Sequence, residues 1–234
     1  MLTQNKPSLC SKAYWSEAAK QFSNTKMVTL CAIFVALRIL SQAYLYIPLG
    51  ENLGIYVDFL FSAVGSAIYG PLVGVAGGFF SDILSSLLFP KGTFFPLFAL
   101  TEMMGSFLFG IILWKREITV SKLIFSKFLY TVICNLTMMP YIMILYYKFL
   151  GDAKGYAFIT IPRLIKNVAL LPAECFLLVL FFSAVLPALK NGHIYKGATH
   201  SLKLTKKHFI LLGIMLIFSI GILYVYLKYI LPLL

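Results

Sequence analysis

A short polar group interrupts an apolar part of the sequence in its second half. Arg163, Lys166 and Asn167 follow Pro162 in the segment IPRLIKN. Proline suits the first turn of a helix, so a helix is predicted to begin here. In that helix the two cations and the amide, at positions i, i+3 and i+4, share one face. This face suits an anionic ligand that carries carboxylates. The alternative is that the long cationic side chains reach to a membrane interface, although that role does not require an amide beside them.

A second group with binding chemistry lies in the segment FPKGTFFP. Phe94 and Phe95 could stack on a flat ring. Lys91 could add a contact to a carboxylate. The two aromatic side chains could equally anchor the chain at a membrane interface, which is the more common role of aromatic residues at that depth.

Charged residues also stand inside apolar stretches, namely Arg38, Asp58, Asp82, Glu102 and Glu174. A charge at the centre of a membrane helix costs roughly 2.5–3.5 kcal/mol, so each is expected to bind something or to pair. Arg38 is predicted either to contact a ligand or to pair with an acidic residue such as Asp58 or Asp82. Arg38 and Asp82 are counted among the predicted ligand contacts, whereas Glu102 and Glu174 are predicted to be structural partners.

The elements that must position these residues are membrane helices. The chain has 234 residues, of which 60% are hydrophobic and 12% charged. Soluble domains carry about 25% charged residues, and β-barrel strands alternate with period two. The apolar residues here form continuous blocks, several of them near the roughly 20 residues that span a bilayer. The sequence therefore predicts an all-α membrane protein with spans at Met27–Ile47, Ile55–Tyr69, Leu72–Phe89, Pro96–Trp114, Leu123–Leu150, Ile159–Leu186 and His208–Leu231.

The spans divide the chain into four parts. Residues 1–26 form a predicted cytoplasmic tail, either disordered or with a short amphipathic helix around Tyr14–Phe22. Residues 27–189 hold six helices, of which the second and third are separated by Gly70 and Pro71, at a tight turn or a break in one helix. Residues 190–207 form a basic cytoplasmic loop, and 208–234 hold an additional C-terminal helix.

The net charge of +12 follows the positive-inside rule rather than a nucleic-acid partner. With the N-terminus inside, four lysines lie in the tail and five more basic residues follow the sixth span. Four others, Lys115, Arg116, Lys122 and Lys127, flank the connection after the fourth span. The segments assigned to the outside carry only four lysines.

Several functions lack their sequence motifs. No GxxxxGK[ST] phosphate loop is present, which argues against ATP hydrolysis by that route. The HExxH and GxSxG motifs of membrane proteases and lipases are also absent. The four cysteines form no CxxC pair, and the three histidines lie in or beside one basic loop. No catalytic residue, metal site or cofactor is therefore predicted.

Three segments together resemble a known family. Ala32 and Ala36 place small residues four apart on the first membrane helix, which permits a close helix contact. The segment 67–74, AIYGPLVG, continues through Asp82 to FPKGTFFP, and PRLIKN at 162–167 precedes LPAE at 171–174. With these segments the chain resembles the substrate-binding S components of energy-coupling-factor (ECF) vitamin transporters, and most of all their folate family. Leu97 and Ala99 depart from the family pattern, and the helix at 208–231 lies outside its six-helix core.

The resemblance implies a mechanism. An S component captures its vitamin, here folate, at the outer face of the bacterial cell membrane. It then docks, through small residues such as Ala32 and Ala36, on a coupling membrane subunit that carries two ATPases, and it topples to release the vitamin inside. A flat pterin and a glutamate tail would use aromatic residues for stacking and cations for carboxylates.

Other functions remain open at this point. The chain could be an S component for pantothenate or a queuosine precursor. It could instead be a proton-coupled secondary transporter in which Asp82 and Glu102 carry protons. A membrane enzyme is disfavoured because no catalytic motif is present.

Overall fold

The computed structural model describes residues 9, 11–50, 53–90, 92–151, 161–192, 202, 205–225 and 228, with the backbone alone at 47–50, 53–54 and 161–162. In chain order the helices are α1 (Lys12–Lys20), α2 (Thr25–Tyr44), α3 (Asp58–Tyr69), α4 (Pro71–Leu88), α5 (Phe98–Leu113), α6 (Val120–Tyr130), α7 (Met139–Phe149), α8 (Ile161–Asn191) and α9 (Lys206–Val225). A 3₁₀ turn at Gln21–Ser23 follows α1, and a π-helical segment at Thr131–Met138 joins α6 to α7. Two strands, β1 (Tyr46–Gly50) and β2 (Leu53–Tyr56), lie between α2 and α3.

The predicted all-α membrane fold is confirmed. Among the described residues, α2, α4, α9, the continuous helix Val120–Phe149 and the α8 segment Arg163–Asn191 are long and apolar enough to cross a membrane. The two shorter apolar helices are α3 and α5. Each of these seven segments overlaps one predicted span.

A β-hairpin at one end of the bundle was not predicted. Strands β1 and β2 pair antiparallel, with Tyr46 opposite Tyr56 and the register shifted between Pro48 and Gly50. The Tyr46 and Tyr56 rings lie 4.7 Å apart. The sequence analysis had assigned Ile47 and Ile55 to the ends of two spans, because apolar strand residues resemble helix ends when no alternation is visible.

A turn rather than a continuous helix separates α3 from α4. Gly70 has a φ of 91°, a left-handed value that glycine adopts without steric cost. A Cβ atom at this position would lie 2.9 Å from Cε2 of Trp114. Pro71 then begins α4, where its missing N–H is no loss.

The amphipathic helix considered for the N-terminal tail is present as α1. Its buried residues, Tyr14 and Ala18, pack against Trp114 at the end of α5. The Tyr14 and Trp114 rings lie 5.2 Å apart in an edge-to-face arrangement, and Glu17 forms an ion pair with Lys115. Helix α1 is therefore fixed to the end of the bundle opposite the hairpin.

Helix α3 lies at the centre of the bundle, because all its residues except Phe61 are buried. It packs against α2 and α5, with further contacts to α4 and α8. Helices α4 and α5 approach closely through glycine. A Cβ atom at Gly78 would lie 2.6 Å from the Glu102 carbonyl oxygen, and one at Gly110 would lie 2.5 Å from the Pro71 Cα. This small-residue packing is typical of membrane helices.

Candidate functional site

A cavity of about 470 Å³ opens between α3, α5, α8 and the α6–α7 helix. Its size is within the usual range of small-molecule sites, roughly 300–1,000 Å³. Its wall combines acids, cations, aromatic rings, amides and two apolar side chains. They are Asp58, Glu102 and Glu174; Lys127, Arg163 and Lys166; Tyr56, Phe59 and Tyr130; Gln42, Asn135 and Asn167; and Met139 and Leu170.

The polar face predicted at the start of α8 lines this cavity. Arg163, Lys166 and Asn167 all belong to its wall. The Asn167 Nδ2 donates a hydrogen bond to the Arg163 carbonyl oxygen at 2.9 Å. The structure thus brings together the three residues that the i, i+3, i+4 spacing placed on one face, and whether they contact a ligand stays a prediction.

Lys127 contributes a buried cation that was not predicted. It had been counted among the basic residues that flank a cytoplasmic connection, but its side chain is 1% exposed and lies 3.2 Å from Glu174 Oε2. Its ammonium group also lies 3.6 Å from the centroid of the Phe59 ring and 4.6 Å from that of Tyr130. Glu174 therefore has the pairing role predicted for it. The burial of Lys127 was not predictable, because a linear pattern does not show which face of α6 points into the bundle.

Arg38 pairs with an acid supplied by α5. Its guanidinium is fully buried and forms an ion pair with Glu102. Its Nη1 donates to Ser106 Oγ at 3.2 Å, and Ser106 lies 3.0 Å from Ser62 Oγ. The acid that pairs is Glu102 on α5 rather than Asp58 or Asp82, and Glu102 thus has the structural pairing role predicted for it. Among the described residues Glu102, but not Arg38, lines the cavity.

A hydrogen-bonded chain joins three helices at the hairpin end of the cavity. Gln42 Nε2 donates to Asp58 Oδ2 at 3.1 Å, and Ser85 Oγ donates to Gln42 Oε1 at 2.8 Å. The two bonds fix the orientation of the Gln42 amide. Nearby, burial and the neighbouring Tyr46 raise the pKa of Tyr56 above its ordinary value.

Other residues predicted to contact a ligand do not line this cavity in the described part of the chain. Asp82 on α4 is half-buried and is not one of the described lining residues. Phe94 is 47% exposed, and Phe95 packs at 5.5 Å from the Tyr146 ring and 5.6 Å from that of Phe149. Neither lines the described cavity, and Lys91 lies outside the described residues.

The π-helical segment supplies cavity residues that sequence reasoning missed. Asn135 lies within it, and Tyr130 and Met139 flank it. Wide helical turns of this kind are frequent at functional sites. The amide of Asn135 inside an apolar span was the one signal that could have identified this region.

A family model described as "ECF transporter, substrate-specific component" matches residues 26–186. The chain belongs to this family. It is a family of transporter components rather than of enzymes, and its members' multi-pass membrane character agrees with the apolar helices described above.

Two relatives of this S component carry folate in their descriptions. The folate transporter FolT of Clostridium novyi (strain NT) is 32% identical over 111 residues, which are 47% of this chain and 61% of the relative. The chain thus spans less than two thirds of that relative. A crystal structure of FolT bound with folic acid matches with a TM-score of 0.56 and 26% identity, over 65% of this chain and 89% of the other. The resemblance to the folate branch is therefore confirmed.

A second concave surface of the S component lies on the other side of α2. We call it the α2–α4 groove, a cavity of about 660 Å³ whose wall is almost entirely apolar. Ala32 and Ala36 are exposed on its floor, and Gly77 and Phe80 contribute from α4. The groove and the polar cavity share no described lining residue.

No group of three or more metal-ligating side chains occurs within the described ranges. The acids of the cavity instead face cations or amides, as at Glu174, Glu102 and Asp58.

Proposed function

We propose that this S component captures folate from outside a bacterial cytoplasmic membrane and delivers it through a coupling subunit with two ATPases. The observation that carries the proposal is the joint placement of Arg163, Lys166 and Asn167 along a cavity that also holds aromatic rings. Membership of the S-component family supplies the transport class.

The composition of the cavity suits the two chemical halves of folate. Arg163 and Lys166 are suited to the carboxylates of the glutamate tail, since charge-assisted hydrogen bonds to carboxylates are the strong ones. Tyr56, Phe59 and Tyr130 offer ring faces and edges to a flat heterocycle. The amides of Gln42, Asn135 and Asn167 can both donate and accept, as the polar edge of a pterin requires.

The proposed orientation places the hairpin and the start of α8 outside. Helix α1, the turn at Gly70 and the end of α8 then lie inside, where most of the lysines and arginines of the loops are found. This follows the positive-inside rule. The tail at 1–26, the core at 27–189, the loop at 190–207 and the helix at 208–234 keep the division drawn from the sequence.

Titration of the purified chain in detergent with folic acid tests the proposal. Quenching of tryptophan and tyrosine fluorescence at nanomolar folic acid is the expected result, because Tyr56 and Tyr130 line the cavity. A folded, monodisperse sample that ignores folic acid contradicts the folate assignment. If that sample bound pantothenate, the proposed transport function would be retained and the proposed substrate would become pantothenate.

Uptake measures the coupling half of the proposal separately. Proteoliposomes that contain the chain together with a coupling subunit and two ATPases should accumulate labelled folate only when ATP is present. Accumulation driven by a proton gradient without the ATPases contradicts the proposal.

A further inference from the structure

Helix α9 lies beyond the part of the chain that the family model matches, which ends at residue 186. It packs along α8, the helix that carries Arg163, Lys166 and Asn167. Among the described residues of α9, only Leu212 and Ser219 are buried, and half of the other 18 are exposed large apolar side chains suited to lipid.

Ser219 makes a specific contact between the two helices. Its side chain is fully buried, and its hydroxyl donates a hydrogen bond to the Ala169 carbonyl oxygen. Ala169 stands between Asn167 and Leu170, which both line the cavity. A buried hydroxyl within the bilayer needs a partner, and here that partner is the backbone of the ligand-facing helix.

The bond reaches α8 where its own hydrogen bonding is weakened. Pro172 lies inside the helix and has no N–H, so the carbonyl of Val168 loses the donor that an ordinary residue would supply. The carbonyl of Ala169 is the next along the chain, and a carbonyl oxygen can accept a second hydrogen bond. The hydrogen bond from Ser219 therefore holds the turn of α8 that precedes Pro172 against α9.

We propose that Ser219 is a positioning residue that holds the first turns of α8 against α9. It acts through Ala169 and keeps Arg163 and Lys166 aligned along the cavity. The inference rests on the proposed function of this cavity, and it gives α9 a role in retaining the ligand.

Ligand dissociation from three single variants tests the inference. Ser219→Ala should release folic acid about three- to tenfold faster, the range expected from interhelical hydrogen bonds in membranes. Leu212→Ala removes more buried side chain from α9, about 10 Å along the helix. It should lower the unfolding temperature more than Ser219→Ala but leave dissociation nearly unchanged. Gly221→Ala, whose Cβ would meet nothing within 4 Å, should change neither quantity.

A double-mutant cycle separates positioning from general stability. If Ser219 acts through the cations of α8, the effect of Ser219→Ala on affinity should largely disappear in an Arg163→Ala background. Additive effects of the two substitutions overturn the inference. An effect of Leu212→Ala on dissociation as large as that of Ser219→Ala overturns it too.

Hydrogen exchange of the ligand-free protein tests the contact between Ser219 and Ala169 in the absence of folate. Amides of 163–170 should exchange faster in Ser219→Ala than in the parent chain, whereas those of α2 should not change. Unchanged exchange in 163–170 overturns the inference. A different outcome is that the parent chain does not bind folic acid while the variant still exchanges faster. This would reject the folate assignment but support the contact between Ser219 and Ala169.

Discussion

Arg163 lines the cavity from the first turns of α8, and its replacement should weaken folate binding. A hydrogen bond to a charged group is worth roughly 1.5–3 kcal/mol, so Arg163→Ala should raise the Kd of folic acid more than tenfold. 6-Hydroxymethylpterin has the same pterin ring without any carboxylate, and its affinity should change little. Fluorescence titration of both ligands measures the difference.

Lys148 provides the matched control for that experiment. It is an exposed lysine at the end of α7 and is not one of the described cavity residues. Lys148→Ala should bind folic acid like the parent chain. Equal affinities for the parent chain and Arg163→Ala would remove Arg163 from the ligand site.

The buried pair of Lys127 and Glu174 should matter for stability as well as for binding. Lys127→Met would remove the cation that lies 3.2 Å from the Glu174 carboxylate, a group that also interacts with the charge of Lys166. Breaking a fully buried pair on one side costs about 3–5 kcal/mol, so a loss near or below the lower end of that range is expected here. We expect a lower free energy of unfolding for Lys127→Met, measured by denaturation in detergent micelles.

Removal of both charges should reverse most of that loss. The double variant Lys127→Met with Glu174→Leu removes both charges of the pair, and such replacements of buried pairs are often neutral or stabilising. A double variant no more stable than Lys127→Met would mean that the contacts of Lys127 with Phe59 and Tyr130, rather than its pairing, set its contribution.

At the scale of elements, the helices were predictable because each had to bury a long apolar run in lipid. The hairpin at Tyr46–Tyr56 was not, since its short apolar strands continue the composition of the adjoining helices. The π-helical segment Thr131–Met138 was not predictable either, because its wider turns have no distinct residue pattern. Tertiary packing decides both.

The candidate site was predictable only where its residues are close in sequence. Pro162 and the spacing of Arg163, Lys166 and Asn167 sufficed to place one face of α8. Lys127 and Arg38 depend on partners 47 and 64 positions away, Glu174 and Glu102. The rotation of each helix about its axis decides which of several buried acids pairs with a given cation. The local sequence pattern does not indicate this rotation.

Packing of α4 against α5 depends on Gly78, and a larger side chain there should separate the helices. The Cβ of Gly78→Ala would lie 2.6 Å from the Glu102 carbonyl oxygen, which is backbone and cannot turn aside. Overpacking of this kind costs about 1–3 kcal/mol. Thermal unfolding should show the loss, and folate affinity should fall with it because Glu102 lines the cavity.

Gly213 on α9 is the matched control for Gly78. A Cβ atom at Gly213 would meet nothing within 4 Å, so Gly213→Ala should leave stability unchanged or slightly raised. If Gly78→Ala were as stable as Gly213→Ala, the α4–α5 contact would have to be looser than the structure indicates.

For the whole molecule, the polar cavity and the α2–α4 groove lie on different faces of α2. Arg38 and Gln42 point towards the bundle, whereas Ala32 and Ala36 face outward into an apolar groove. This separation permits ligand capture and partner docking to be changed independently. The ligand side depends on α8, and the proposed docking side depends on α2 and α4.

Tryptophan at both Ala32 and Ala36 should therefore abolish uptake and spare folate binding. The two large side chains would fill the α2–α4 groove, where small residues permit close approach of another helix. Ala184→Trp with Ala188→Trp is a matched control, because these alanines have the same spacing and are exposed on α8. It should retain both binding and uptake in proteoliposomes that contain the coupling subunit and ATPases. Loss of folic acid binding in the Ala32, Ala36 variant would mean that the groove packs the fold instead of receiving a partner.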